Sequence, residues 1–337
     1  MTSISTRAER SGNEAPRSQL VATGDGNHDC ITTVAYLPDD RVVTGWGSGA
    51  VAVWGLQSGK REGESMKHQS GIFDLVVTRD GANIISSDDI GKIKVWDVES
   101  HKLVKAWTHQ EMFPIIAISP DDRLIAAGRW TVGIYTTEGE WVNSIKVDRK
   151  VWSLSFSPDG NKLACSTFDD IRIYDVKIGA LVLSPLEGHD DDIRYVLWSH
   201  DGNRLFSASR DKTIRYWNSG TGEQIGQPWT GHTDWITSLS LSPDGTILAS
   251  ASADKTVRFW DTTHGRPVGE HLQHDTSVRS VFFFPSGEFV ASGDEDGNIY
   301  LWRVPQLHSG ESQVIIMTHI RSHHSRPLFS RPIDDLC

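Results

Sequence analysis

Apolar and polar residues alternate along this chain in short runs, and Asp, Gly, Pro or Ser interrupts each run after a few positions. Ser-Leu-Ser-Leu at 238–241 alternates, Pro243-Asp244-Gly245 turns, and Ile247-Leu248-Ala249-Ser250 makes a second run. Ala253-Asp254-Lys255 turns again, and Val257-Arg258-Phe259-Trp260 alternates once more. Successive side chains of a strand point to opposite faces, so such runs between turn residues predict antiparallel hairpins. No window carries a competing helical period. A fourth strand fits between each closing aromatic and the next turn, as at 270–273.

The unit repeats. A turn signal recurs around Asp39, Asp80, Asp121, Asp159, Asp201, Asp244 and Ser286, at steps of 38 to 43 residues. An aromatic keeps the same step: Trp54, Trp96, Tyr135, Tyr174, Trp217, Trp260 and Trp302. Residues 201–217 and 244–260 agree at 11 of 17 positions, including Ser-Ala-Ser and Asp-Lys-Thr. Two independent markers sharing one period identify a repeat architecture.

Gly231-His232 opens one unit, Trp260-Asp261 closes it, and Ser250 and Asp254 stand between them. In these residues the chain resembles the WD-repeat β-propellers, over about residues 18–303. The resemblance implies an all-β fold: a seven-bladed propeller of four-stranded antiparallel blades. It also implies that His, Ser, Asp and Trp of a blade form a hydrogen-bonded chain that pins the sheet. Complete sets are His189-Ser207-Asp211-Trp217, His232-Ser250-Asp254-Trp260 and His274-Ser292-Asp296-Trp302.

The first four units depart from this pattern. Unit one has His28, Thr44 and Trp54, with Ser48 in the Asp slot. Unit two has His68, Ser86 and Trp96, with Ile90 in that slot and Asp89 beside it. Unit three has His109, with Trp130 and Tyr135 in the Asp and Trp slots. Unit four has Asp148, Cys165, Asp169 and Tyr174. An open ring would leave a strand edge exposed. Residues 18–23 precede the first His and are expected to close the ring as the outer strand of blade seven; residues 314–317 are the rival. Residues 1–17 and 304–337 are expected to be flexible ends.

Lys+Arg 33 against Asp+Glu 44 gives a net charge of -11, which argues against a general nucleic-acid binder. The three cysteines, Cys30, Cys165 and Cys337, are too far apart for a disulfide framework or a CxxC metal site. No apolar run is long enough for a membrane span. A cytoplasmic or nuclear protein with no cofactor is the expectation.

Some apparent chemistry dissolves on inspection. Ser, His and Asp recur together in three units with a Trp at fixed offsets, which is a structural repeat and not three catalytic triads. Gly55 to Arg61 lacks the spacing, the Ser/Thr and the strand-to-helix context of a phosphate loop. His308, His319, His323 and His324 read as a solvated tail, and Asp190-Asp191-Asp192 as a solvated turn without the Gly and distal Glu of a calcium loop. No metal site is expected.

The resemblance implies a non-catalytic scaffold or adaptor that docks proteins or peptides within a multiprotein complex, as a monomeric propeller. A hydrolase-type propeller and a chromatin- or RNA-associated propeller are the alternatives. It also places residues at the top mouth of the central channel: Phe73, Met112, Arg129, Lys150, Trp152, Phe168, Asp192, Arg194, Arg210, Trp235, Arg279 and Glu295. Four Arg and one Lys face one Asp and one Glu there, opposite in sign to the whole chain. Arg forks suit carboxylate or phosphate, and Arg and aromatics dominate binding hot spots. The expected ligand is an acidic or phosphorylated peptide with an aromatic or aliphatic anchor.

Overall fold

The computed structural model describes residues 19–22, 31–39, 41–55 and 58–305. Every regular element among them is a β-strand, and the strands form seven antiparallel sheets, one per sequence repeat. Blade six shows the plan. Ile236–Leu241, Ile247–Ser252, Thr256–Asp261 and Leu272–Gln273 follow one another from the channel outward. The fourth strand is short in blades four and six, and in blade five it is reduced to isolated bridges, Ile214 to Trp229 and Trp217 to Gln224.

The ring closes through the N-terminal segment. Val278–Phe283, Phe289–Asp294 and Ile299–Arg303 supply three strands of blade seven, and Gln19–Ala22 pairs antiparallel with the third, Gln19 opposite Leu301. The rival, residues 314–317, lies outside the described residues, as do almost all of the two expected flexible ends and the tail histidines. An outer strand supplied from the N-terminal segment completes blade seven and ties the two ends of the ring together.

The core lies between blades. Trp260 of blade six packs with Phe206, Tyr216 and Trp229 of blade five, and Trp217 packs with Ala164 and Ile171 of blade four. Trp302, Trp96 and Trp54 likewise meet the preceding blade. This explains the buried tryptophans that close the repeats: each of these rings fills the wedge where one twisted sheet meets the next, whereas Trp130, Trp141 and Trp235 are exposed. Hydrogen bonds cross the same seams near the channel. Ser153 Oγ accepts from Val196 N at 3.2 Å, and Asp74 Oδ2 accepts from Ile116 N at 3.0 Å.

Candidate functional site

The repeat residues assemble before any binding face does. Ser207 sits opposite Arg215, and Trp217 is two residues further along the same strand, so Ser and Trp are diagonal neighbours on one face. Trp217 Nε1 donates to Ser207 Oγ at 2.8 Å, Ser207 Oγ meets His189 Nε2 at 2.7 Å, and His189 Nδ1 meets Asp211 Oδ2 at 2.7 Å. Blade six repeats this through Trp260, Ser250, His232 and Asp254, at 2.8, 2.7 and 2.8 Å. The carboxylate only accepts, so Nδ1 carries the ring proton and Nε2 takes the serine proton. Both serines are fully buried beneath an indole, where no substrate carbonyl can reach them.

Burial disfavours the charged ring and pushes His189 and His232 below the ordinary histidine range. Burial also opposes ionisation of Asp211, but the hydrogen bonds from His189 and Thr213 override it and hold the carboxyl low. Asp254 is held low in the same way. In the unfolded chain these histidines bind protons near pH 6.5 and the aspartates near pH 3.9, so acid favours unfolding on both counts. Thermal stability is therefore expected to fall as pH drops below about 6.5, and further below about 4. Asp74 has the opposite sign: burial raises its carboxyl to about 7, so it costs stability progressively as pH rises from about 4 to about 7 and opposes the histidines in that window. A melt series from pH 8 to 4 showing rising stability toward acid would contradict this balance.

One of the three expected sets changes in the structure, and a blade expected to be incomplete holds a full set. In blade seven, Trp302 Nε1 donates to Ser292 Oγ at 2.8 Å and His274 Nε2 meets Ser292 at 3.0 Å, but His274 Nδ1 has no hydrogen bond. Asp296 is therefore not the fourth member. Asp294, two residues earlier, lies 4.0 Å from Nδ1 and instead accepts from Asn298 N and Nδ2, which closes the hairpin. In blade two the set is complete, with a residue the repeat alignment missed. His68 Nδ1 meets Asp88 Oδ2 at 2.9 Å, while Ser86 Oγ takes His68 Nε2 and Trp96 Nε1, both at 2.8 Å. The signal was a carboxylate two residues after the strand serine, a slot held by Ser209 and Ser252 in blades five and six.

Blades one, three and four hold themselves differently. Thr44 Oγ1 accepts from both Trp46 and Trp54. In blade three, Gly133 leaves room for the Tyr135 ring, whose hydroxyl meets His109 Nδ1 at 2.9 Å; a Cβ there would lie 2.8 Å from that ring. In blade four, Cys165 is buried and its thiol is pushed far up by burial, while Arg172 spans Asp170 and the Val147 carbonyl.

The structure brings five of the twelve expected residues, Phe73, Arg129, Lys150, Trp152 and Arg194, into one group around the Trp152 indole. Arg129 lies over Phe73, Phe113 and Trp152, at 5.2, 5.6 and 5.0 Å from the ring centres. Lys150 and Arg194 also sit over Trp152, at 4.2 and 4.1 Å. Phe113 was missing from the sequence-based set; it takes a positive φ beside Phe73. A second group holds Arg210, stacked 3.5 Å from the Trp235 ring centre and bonded to Asp192 at 3.1 Å. Arg279 pairs with Glu295 at 2.6 Å. Met112 and Phe168 are exposed.

The charges feel one another. Burial first, then the nearby positive charges of Arg210, Arg279 and Arg129, lower the Arg194 guanidinium to about 10, against the partial support of Asp192. Among the described residues Arg194 makes no hydrogen bond and no ion pair. Its charge rests on the face of Trp152 and on Asp192 at longer range, while Asp192 and Glu295 pair directly with other arginines.

With the ring, its tetrads and its mouth in view, the chain is a WD-repeat β-propeller. The family pattern described as "WD domain, G-beta repeat" matches residues 137–174, 180–218, 222–261 and 265–303. Each matched stretch begins in the outer part of one blade and ends at the third strand of the next. The chain is 33% identical over 156 residues to WD repeat-containing protein SL1-17 of Schistosoma mansoni, covering 44% of this chain and 50% of that protein. It is 30% identical over 145 residues to small ribosomal subunit protein RACK1y of Oryza sativa subsp. japonica, 40% of this chain and 43% of that one. Autophagy-related protein 16 of Arabidopsis thaliana is 25% identical over 198 residues, 57% of this chain and 39% of that one. The chain thus spans half or less of these relatives' length. WD-repeat propellers are typically non-catalytic scaffolds that bind other proteins.

Proposed function

We propose that this propeller is a non-catalytic adaptor that docks a protein partner at the top mouth of its channel. The observation that carries the reading is Arg194: a guanidinium with no ion pair among the described residues, stacked on Trp152, with Arg210, Arg279 and Arg129 near it against one carboxylate, Asp192. An anionic group entering there gains an Arg fork and relieves that repulsion. The ligand class is an acidic or phosphorylated segment that also carries an aromatic or aliphatic anchor. The names of the ribosomal and autophagy-related relatives support a place within a larger assembly. No helix among the described residues is long and apolar enough to cross a membrane, and the cytoplasm or nucleus is the compartment we assign.

The test is a quantitative pull-down of partner proteins by the wild-type chain and by Arg194→Glu, Arg210→Glu and Trp235→Ala, each first checked for an unchanged melt. Charge reversal of Arg194 is expected to abolish recovery. Arg210→Glu and Trp235→Ala are expected to weaken recovery less, because Arg210 is already paired with Asp192. Full retention by all three variants moves the docking face elsewhere.

A further inference from the structure

Blades two to four differ from five and six in what their upper turns present. In blades five and six the turn carries the tetrad carboxylates, Asp211 and Asp254, folded inward onto His189 and His232. In blade two the carboxylate comes from Asp88 on the strand, and the turn shows Ile90, 49% exposed. In blade three Tyr135 serves His109, and the shortened turn shows Trp130, 52% exposed. In blade four the turn shows Phe168, 57% exposed. A large apolar side chain left in water is unfavourable for folding, and three on consecutive turns mark a surface built to be covered.

The Trp130 turn is held in place. Glu111 accepts hydrogen bonds from the backbone N–H groups of Arg129, Trp130 and Thr131, at 2.9, 2.8 and 2.9 Å. One carboxylate thus clamps the turn that carries both an exposed indole and a guanidinium over the Trp152 ring. A pinned aromatic loses little freedom when a partner covers it. Arg194 and Lys150 complete the group around that ring.

We propose that Arg194, with Arg129 and Lys150 around Trp152, seats a phosphorylated side chain, and that apolar residues flanking that phosphate in the same peptide lie on Trp130 and Phe168. This rests on the adaptor reading above and sharpens it. A phosphoryl group brings close to two charges and three acceptor oxygens, which matches several cations on one ring better than a single carboxylate does. Carboxylates of this chain pair with Arg210 and Arg279, whereas Arg194 has no ion pair among the described residues.

The test is a degenerate peptide library with one fixed phosphoserine, passed over the immobilised full chain, beside libraries with fixed glutamate or unmodified serine. The phosphoserine library is expected to be retained and enriched in aromatic or aliphatic residues next to the phosphate. Arg194→Gln should cut the affinity of a selected peptide by roughly tenfold or more. Trp130→Ala with Phe168→Ala should erase the apolar enrichment but keep the need for phosphate. Equal retention of the glutamate library removes the phosphoryl assignment and leaves an acidic ligand. Anion-dependent binding without apolar enrichment, or enrichment unchanged in the double variant, removes the platform and leaves the adaptor reading. Equal retention of all three libraries overturns the seat and the reading together.

Discussion

Trp260→Ala is expected to destabilise the protein by about 3–5 kcal/mol, the usual cost of truncating a large buried aromatic. The ring is 1% exposed and lies between two blades, among Phe206, Tyr216 and Trp229. Its removal opens a cavity in the seam, and rigid sheets on either side collapse into it poorly. It also takes away the indole donor to Ser250. Asp254→Ala should be damaging as well, because His232 and Thr256 lose their acceptor. Tyr135 and Tyr174 close blades without the full tetrad, and their truncation should cost less. Thermal and denaturant melts of the four variants check the order; equal losses would contradict a blade-by-blade division of stability.

Asp88→Ala should approach the same size, about 3–5 kcal/mol, because it strips one partner from a buried pair. Asp88 and His68 are both buried, and nothing else on the ring replaces the 2.9 Å bond. Ile90→Ser, two residues on in the slot where the repeat places its carboxylate, should change stability by less than about 0.5 kcal/mol, since half of that side chain is already in water. Urea melts of the two variants compare them directly. A larger loss for Ile90→Ser than for Asp88→Ala would mean that blade two does not use the bond seen here.

Most of the fold was legible because its information is local and repeated. The turn around Asp244, the alternation at 257–260 and the closing Trp260 recur at a nearly constant step, and a period of that kind has few structural solutions. The outer strand at Gln19–Ala22 was legible for a related reason: the ring needs an edge partner, and the segment precedes the first complete hairpin. The candidate site was legible only in outline. Arg194, Arg129, Lys150 and Trp152 come from three different repeats, and periodicity names candidates in each repeat but not which of them touch.

By itself the sequence determined the number of blades, their strand order and the tetrads of blades five and six, because each follows from residues within one repeat or from their recurrence. The tertiary structure decided the rest. It chose Asp88 for His68 and left His274 Nδ1 without a carboxylate bond, since two residues along a hairpin turn decide which oxygen faces a buried ring. It paired Arg210 with Asp192 and Arg279 with Glu295, and it stacked Arg194 on Trp152 without a direct ion pair. Ion pairing between blades depends on distances of a few ångströms across a seam, and Coulomb and hydrogen-bond energies fall too steeply with distance for a repeat pattern to rank them.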